Sequence, residues 1–71
     1  MSDWIFTFGV GQKHEGYYVR VTADSYDNAR KKMVDKYGIE WAFQYSSEEW
    51  DRWCENRPYY IPVETELEHI K

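Results

Sequence analysis

Cys54, His14 and His69 are the side chains of this 71-residue sequence best suited to nucleophilic or metal chemistry, and they stand far apart along the chain. A structural or catalytic metal needs several such ligands at short intervals, so no metal is expected and no cofactor is implied. Cys54 would act as a nucleophile only if the fold brought a base to it. Grouped with Trp50 and Trp53 at helical spacing, it reads first as a small packed side chain. Glu48, Glu49, Asp51 and Glu55 include pairs on one helical face that could divide acid and base roles. Acids early in a helix also favour its dipole, and a solvated face accounts for them equally well. The glycines Gly9, Gly11 and Gly16 invite comparison with phosphate-binding loops, but their loop leads into strand-like sequence and no Gly-Lys-Ser/Thr follows. A turn is expected there, with Gln12, Lys13 and His14 exposed as a contact loop. No catalytic residue is assigned, and the chain is not expected to be an enzyme.

The elements that must position these groups follow from periodicity. Trp4, Phe6 and Phe8 alternate with Ile5 and Thr7, and Tyr17, Val19 and Val21 alternate with Tyr18 and Arg20, which predicts two strands paired as an antiparallel hairpin. Ser25 or Asp24 can cap a helix whose apolar stripe is Tyr26, Ala29, Met33 and Tyr37, widened by Val34. Gly38 ends it. The segment Ile39–Tyr45 returns to alternation, with Trp41, Phe43 and Tyr45 on one face, predicting a third strand. Ser46 and Glu49, three apart, form a capping signature for a short helix that must stop before Pro58. Tyr59-Tyr60-Ile61 offers a last strand, confined by Pro62 to an edge. The expected fold is α+β: one domain over 1–71, a small antiparallel sheet in the order β-β-α-β-α with an optional final β, and one long helix on a face. An acidic tail over 64–71 is free to fray, and if extended it would line Glu64, Glu66 and Glu68 along one side.

Composition narrows what such a domain does. A chain this short buries only about 60% of its unfolded surface, and three Phe, four Trp and seven Tyr supply the dense core it needs or an exposed contact patch. A single cysteine permits no intramolecular disulfide, which suits a reducing compartment. No stretch reaches the roughly 20 apolar residues of a membrane span, and the N-terminus lacks a basic-then-apolar leader. A cytoplasmic protein is expected. Residues 1–37 carry a net charge of +1 and residues 38–71 one of −5, a balance that disfavours generic nucleic-acid or anionic-membrane binding and suits a basic partner.

Three functions compete on these grounds. A non-enzymatic protein-binding module would place its anchors at Trp50, Trp53, Tyr59 and Tyr60, rimmed by Glu48, Glu49, Asp51 and Glu55. Its acids would meet a basic or nucleic-acid-binding protein, in the extreme by imitating phosphates. A nucleic-acid binder would instead stack bases on Tyr17, Tyr18, Trp41, Phe43 and Tyr45 beside the basic patch Arg30, Lys31, Lys32 and Lys36. A small ligand-binding protein or enzyme would need a concave site, assembled at a dimer interface if a homodimer forms.

A resemblance favours the first reading. Through Trp4-Ile5-Phe6-Thr7-Phe8-Gly9, Gly16-Tyr17-Tyr18-Val19, the helix entry Ala23-Asp24-Ser25-Tyr26-Asp27-Asn28-Ala29 and Trp41-Ala42-Phe43-Gln44-Tyr45-Ser46, roughly residues 4–50, the chain resembles short uncharacterised proteins encoded by phages and mobile elements of Gram-positive bacteria. The resemblance implies a setting, the host cytoplasm, in which small proteins often bind and inhibit host machinery, including antiviral defence systems. It carries no functional residue across.

Overall fold

A computed structural model describes residues 2–9, 11–59 and 64–71. The described chain runs β1 (Ser2–Thr7), β2 (Tyr17–Ala23), α1 (Tyr26–Tyr37), β3 (Phe43–Ser46), α2 (Ser47–Asn56) and β4 (Thr65–Ile70). The four strands form one sheet in the order β3-β1-β2-β4. The α+β class and the β1–β2 hairpin are as expected, with Phe6 opposite Val19 and Trp4 opposite Val21.

The sheet is mixed, however, rather than antiparallel. β1 is antiparallel to both β2 and β3, while β4 runs parallel to β2. The reason lies in the connections. A helical crossover returns the chain in the direction it left, so β2, β3 and β4, joined by α1 and then α2, all point the same way. The two crossovers traverse the sheet in opposite directions, from β2 out to β3 and back to β4. The common right-handed sense of such units therefore places the two helices on opposite faces. α1 packs against β2 and β1, and α2 against β1 and β3. Neither helix dominates: α1 has 12 residues and α2 has 10, so the expectation of one long helix is also revised.

Each face has its own apolar layer. Under α1, Phe6, Phe8, Val19, Val21 and Ala23 meet Ala29 and Met33, with Trp4, Tyr37, Trp41, Leu67 and Ile70 packed around them. Under α2, Ile5 and Thr7 are buried with Trp50, whose ring meets Tyr18 at 5.2 Å and Tyr45 at 5.7 Å. The helix signals act as the sequence predicts. The Ser25 hydroxyl accepts the Asn28 amide, Gly38 closes α1 at φ +68°, and Ser46 and Glu49 cap α2 reciprocally.

Two stretches depart from simple alternation. β3 begins at Phe43 rather than Ile39, and Trp41 turns to the α1 face, where its ring meets Phe6 edge-on at 4.9 Å. Phe43 and Tyr45 stay on the α2 face, so the three rings do not share one side. The segment expected to fray is paired as β4, while the expected strand at Tyr59-Tyr60-Ile61 has Tyr59 in a turn and its other two residues outside the described ones. A register shift places Tyr18 opposite Glu66 but Val19 opposite Glu68. The extra residue, Leu67, resets the two-residue period. Glu66 therefore bonds Arg20 on the α2 face, Glu68 takes Lys36 and the Tyr37 hydroxyl from α1, and Glu64 pairs with Arg57. The acids of the tail do not form a common row.

The Tyr37 contact has a measurable consequence. Burial first, then the neighbouring Glu68 carboxylate, pushes the phenol up to about 12. The folded state holds this proton more tightly than the unfolded chain, so the stabilisation is whole below the ordinary tyrosine range and is lost as pH rises through about 12. Denaturant midpoints followed into alkaline pH are expected to fall less steeply for Tyr37→Phe than for the parent.

Candidate functional site

The outward side of α2 is the surface where aromatic rings, acids and an open concavity coincide. Ser46 starts the helix because its hydroxyl accepts the Glu49 amide at 3.1 Å, while Glu49 Oε1 accepts the Ser46 amide at 3.1 Å. That backbone hydrogen bond, followed by the one with the Ser46 hydroxyl, holds the Glu49 carboxyl below the usual carboxylate range, so it is charged at neutral pH. From Glu49 the helical repeat brings Arg52, Trp53 and Asn56 onto one stripe. With Tyr45 from β3 they line a shallow open depression of about 340 Å³. Asn56 Nδ2 donates to the Arg52 carbonyl at 2.9 Å, which leaves its Oδ1 as an acceptor at the rim. Burial, chiefly, pushes the Tyr45 phenol up, so it is a neutral hydroxyl at physiological pH.

Trp53 is held from behind. The Arg57 guanidinium lies 5.2 Å from the Trp53 ring and 5.6 Å from that of Trp50, and its side chain is 4% exposed beside Glu64. Cation–π contacts of this kind contribute about 0.5–2 kcal/mol, more as water is excluded, and here one guanidinium ties the two indoles together.

The expected anchors are distributed as follows. Trp50 is 7% exposed and belongs to the interior. Trp53 is half-buried and lines the depression. Tyr59 is fully exposed in the turn after α2, and Tyr60 lies outside the described residues. Glu48, Glu49, Asp51 and Glu55 are all exposed on α2, and of these Glu49 enters the depression. Sequence reasoning missed Tyr45, Arg52 and Asn56 as a group. The stripe Glu49, Arg52, Trp53, Asn56 is legible as i, i+3, i+4, i+7, whereas the arrival of Tyr45 depends on sheet register.

The other chemistry-bearing residues are engaged elsewhere. His14 packs between Phe8 and Tyr37 at ring separations of 5.2 and 5.5 Å. Thr22 Oγ1 lies 2.7 Å from both Asp3 Oδ1 and His69 Nε2. The Thr22 hydrogen bond is the main reason that the Asp3 carboxyl sits below its usual range. With the single hydroxyl proton donated to Asp3, His69 must donate to Thr22, the reverse of what a base activating that hydroxyl would do. Cys54 is exposed on α2. Among the described residues, no group of three His, Cys, Asp or Glu could hold a metal ion, and no helix is long and apolar enough to cross a membrane. In the glycine loop the Gly9 amide donates to Gln12 and the Gly11 amide to Glu15, so the loop's own side chains occupy amides that an anion would need.

The basic patch on α1 is largely spent on intramolecular contacts. Lys32 donates to the Thr22 carbonyl at 2.8 Å, Lys36 pairs with Glu68, and Arg30 lies 5.4 Å from the Trp41 ring. The sheet aromatics do not form a platform either, since Tyr18 and Tyr45 lie against Trp50 and Trp41 faces the opposite core.

No protein-family model matches the chain, nor does any curated protein or solved structure.

Proposed function

We propose that this chain is a non-enzymatic protein-binding module that engages a basic partner through the outer side of α2 and the adjoining β3. The observation that carries this reading is the depression floored by Tyr45 and Trp53 on a helix whose exposed acids Glu48, Asp51 and Glu55 make no ion pair among the described residues. In the C-terminal segment the acids are used internally: Glu64, Glu66 and Glu68 each have a basic partner in the fold. A surface of rigid rings inside an acidic rim suits contact with a protein carrying Lys and Arg, and its field would speed encounter and weaken with salt. In the setting that the phage and mobile-element resemblance implies, the partner is a host or antiviral defence protein, and binding inhibits it in the host cytoplasm.

The nucleic-acid reading draws less support. Of its four helix cations, Lys31 alone makes no hydrogen bond, ion pair or ring contact among the described residues. Affinity capture from a bacterial lysate, with and without nuclease and at low and moderate salt, separates the readings. A stoichiometric protein that survives nuclease and is released by salt is the expected outcome. Capture that vanishes with nuclease would transfer the function to nucleic acid.

A further inference from the structure

The depression on α2 repeats, in its lining, the chemistry of a seat this chain already fills. Arg57 rests against two aromatic rings, Trp50 and Trp53, with the Glu64 carboxylate as counterion. On the outer side of Trp53, the depression again offers two aromatic residues, Trp53 and Tyr45, and one carboxylate, Glu49. Asn56 adds a carbonyl oxygen. Resting on the reading of α2 as a contact surface, we infer that this depression receives one arginine side chain of the basic partner protein.

The fit is chemical. A guanidinium is planar, stacks on aromatic faces and presents several N–H donors in a fixed fork, whereas its hydration is weak enough to shed on contact. Glu49 uses Oε1 to accept the Ser46 amide, which leaves Oε2 for a donor from the guest. The capping bond also fixes that carboxylate in the lining of the depression, so little side-chain freedom is lost when a cation arrives. Glu48, Asp51 and Glu55 on the same helix supply the complementary field around it. A second copy of this chain is a poor guest, because it would bring the same acids into mutual repulsion. Arg52 stands at the rim and helps to hold Glu49 ionised. It therefore opposes the guest cation, and its removal should strengthen binding rather than weaken it.

The test is an NMR titration of the full chain with acetyl-Gly-Arg-Gly-amide and with its citrulline counterpart, which keeps the shape and removes the charge. The arginine peptide is expected to give saturable shifts at the Trp53 indole N–H and at Tyr45, and the citrulline peptide none. Glu49→Gln preserves the capping hydrogen bond and should weaken the arginine peptide about two- to five-fold. Arg52→Gln should tighten it by a similar factor. Equal shifts with both peptides, or arginine-dependent shifts confined to Glu48, Asp51 and Glu55, would overturn the arginine seat. The wider reading of α2 as a contact surface fails separately, if the captured partner binds undiminished when those exposed acids are neutralised.

Discussion

Phe6→Ala is expected to lower stability by about 3–5 kcal/mol, the cost of removing a ring from a packed interior that collapses only partly around the void. A domain of this length has in total roughly 4–10 kcal/mol of stability, so much of the variant population should be unfolded under mild conditions. Phe6 is fully buried, pairs with Val19 across β1 and β2, and meets Trp41 edge-on. Its loss opens the layer between the sheet and α1. The control is Phe43→Ala, on the same sheet but 60% exposed, where the change should stay within about 0.5 kcal/mol. Urea midpoints read both. Equal losses at the two positions would contradict the assignment of the core to the α1 face.

Arg57→Ala should be the second most damaging change, at about 3 kcal/mol. The Arg57 side chain is 4% exposed, touches two indole rings and neutralises Glu64, itself 22% exposed. Removing one member of a buried pair leaves the other charge without compensation, which is why such losses reach about 3–5 kcal/mol. The partial exposure of Glu64 places this case at the lower end. Replacing both members, Arg57→Met with Glu64→Gln, should recover part of the loss, and the double-mutant cycle measures the coupling. A simple sum of the two single effects would mean that the pair contributes through packing alone.

Much of this fold could be read from residue order because the signals were local. Ser25, Gly38 and the Ser46/Glu49 pair each act within one helical turn, and the Phe6, Val19 and Val21 alternation lies within single strands. What sequence did not disclose was the direction and place of the last strand. Its acids resemble a solvated tail, yet Arg20, Lys36 and Arg57 lie 46, 32 and seven residues from their respective partners, Glu66, Glu68 and Glu64, and only tertiary structure joins the two most distant pairs. The extra residue at Leu67, which sends Glu66 and Glu68 to opposite faces, has no local sequence mark. The candidate surface was legible by half. The α2 acids and Trp53 stand out by type and spacing, but a tryptophan stripe does not say which ring faces inward. Trp50 does, because Ile5, Tyr18 and Tyr45 leave a space for one indole on that face.

Whether a basic partner is held on the outer side of α2 is tested most directly by capture of that partner with a Glu48→Gln, Asp51→Asn, Glu55→Gln variant. These three acids are exposed and make no cap or ion pair among the described residues, so the variant should fold as the parent does, with an unchanged circular dichroism spectrum. Partner retained by the parent at low salt and lost from the variant is the expected result. Undiminished capture by a folded variant at every salt concentration would contradict the account.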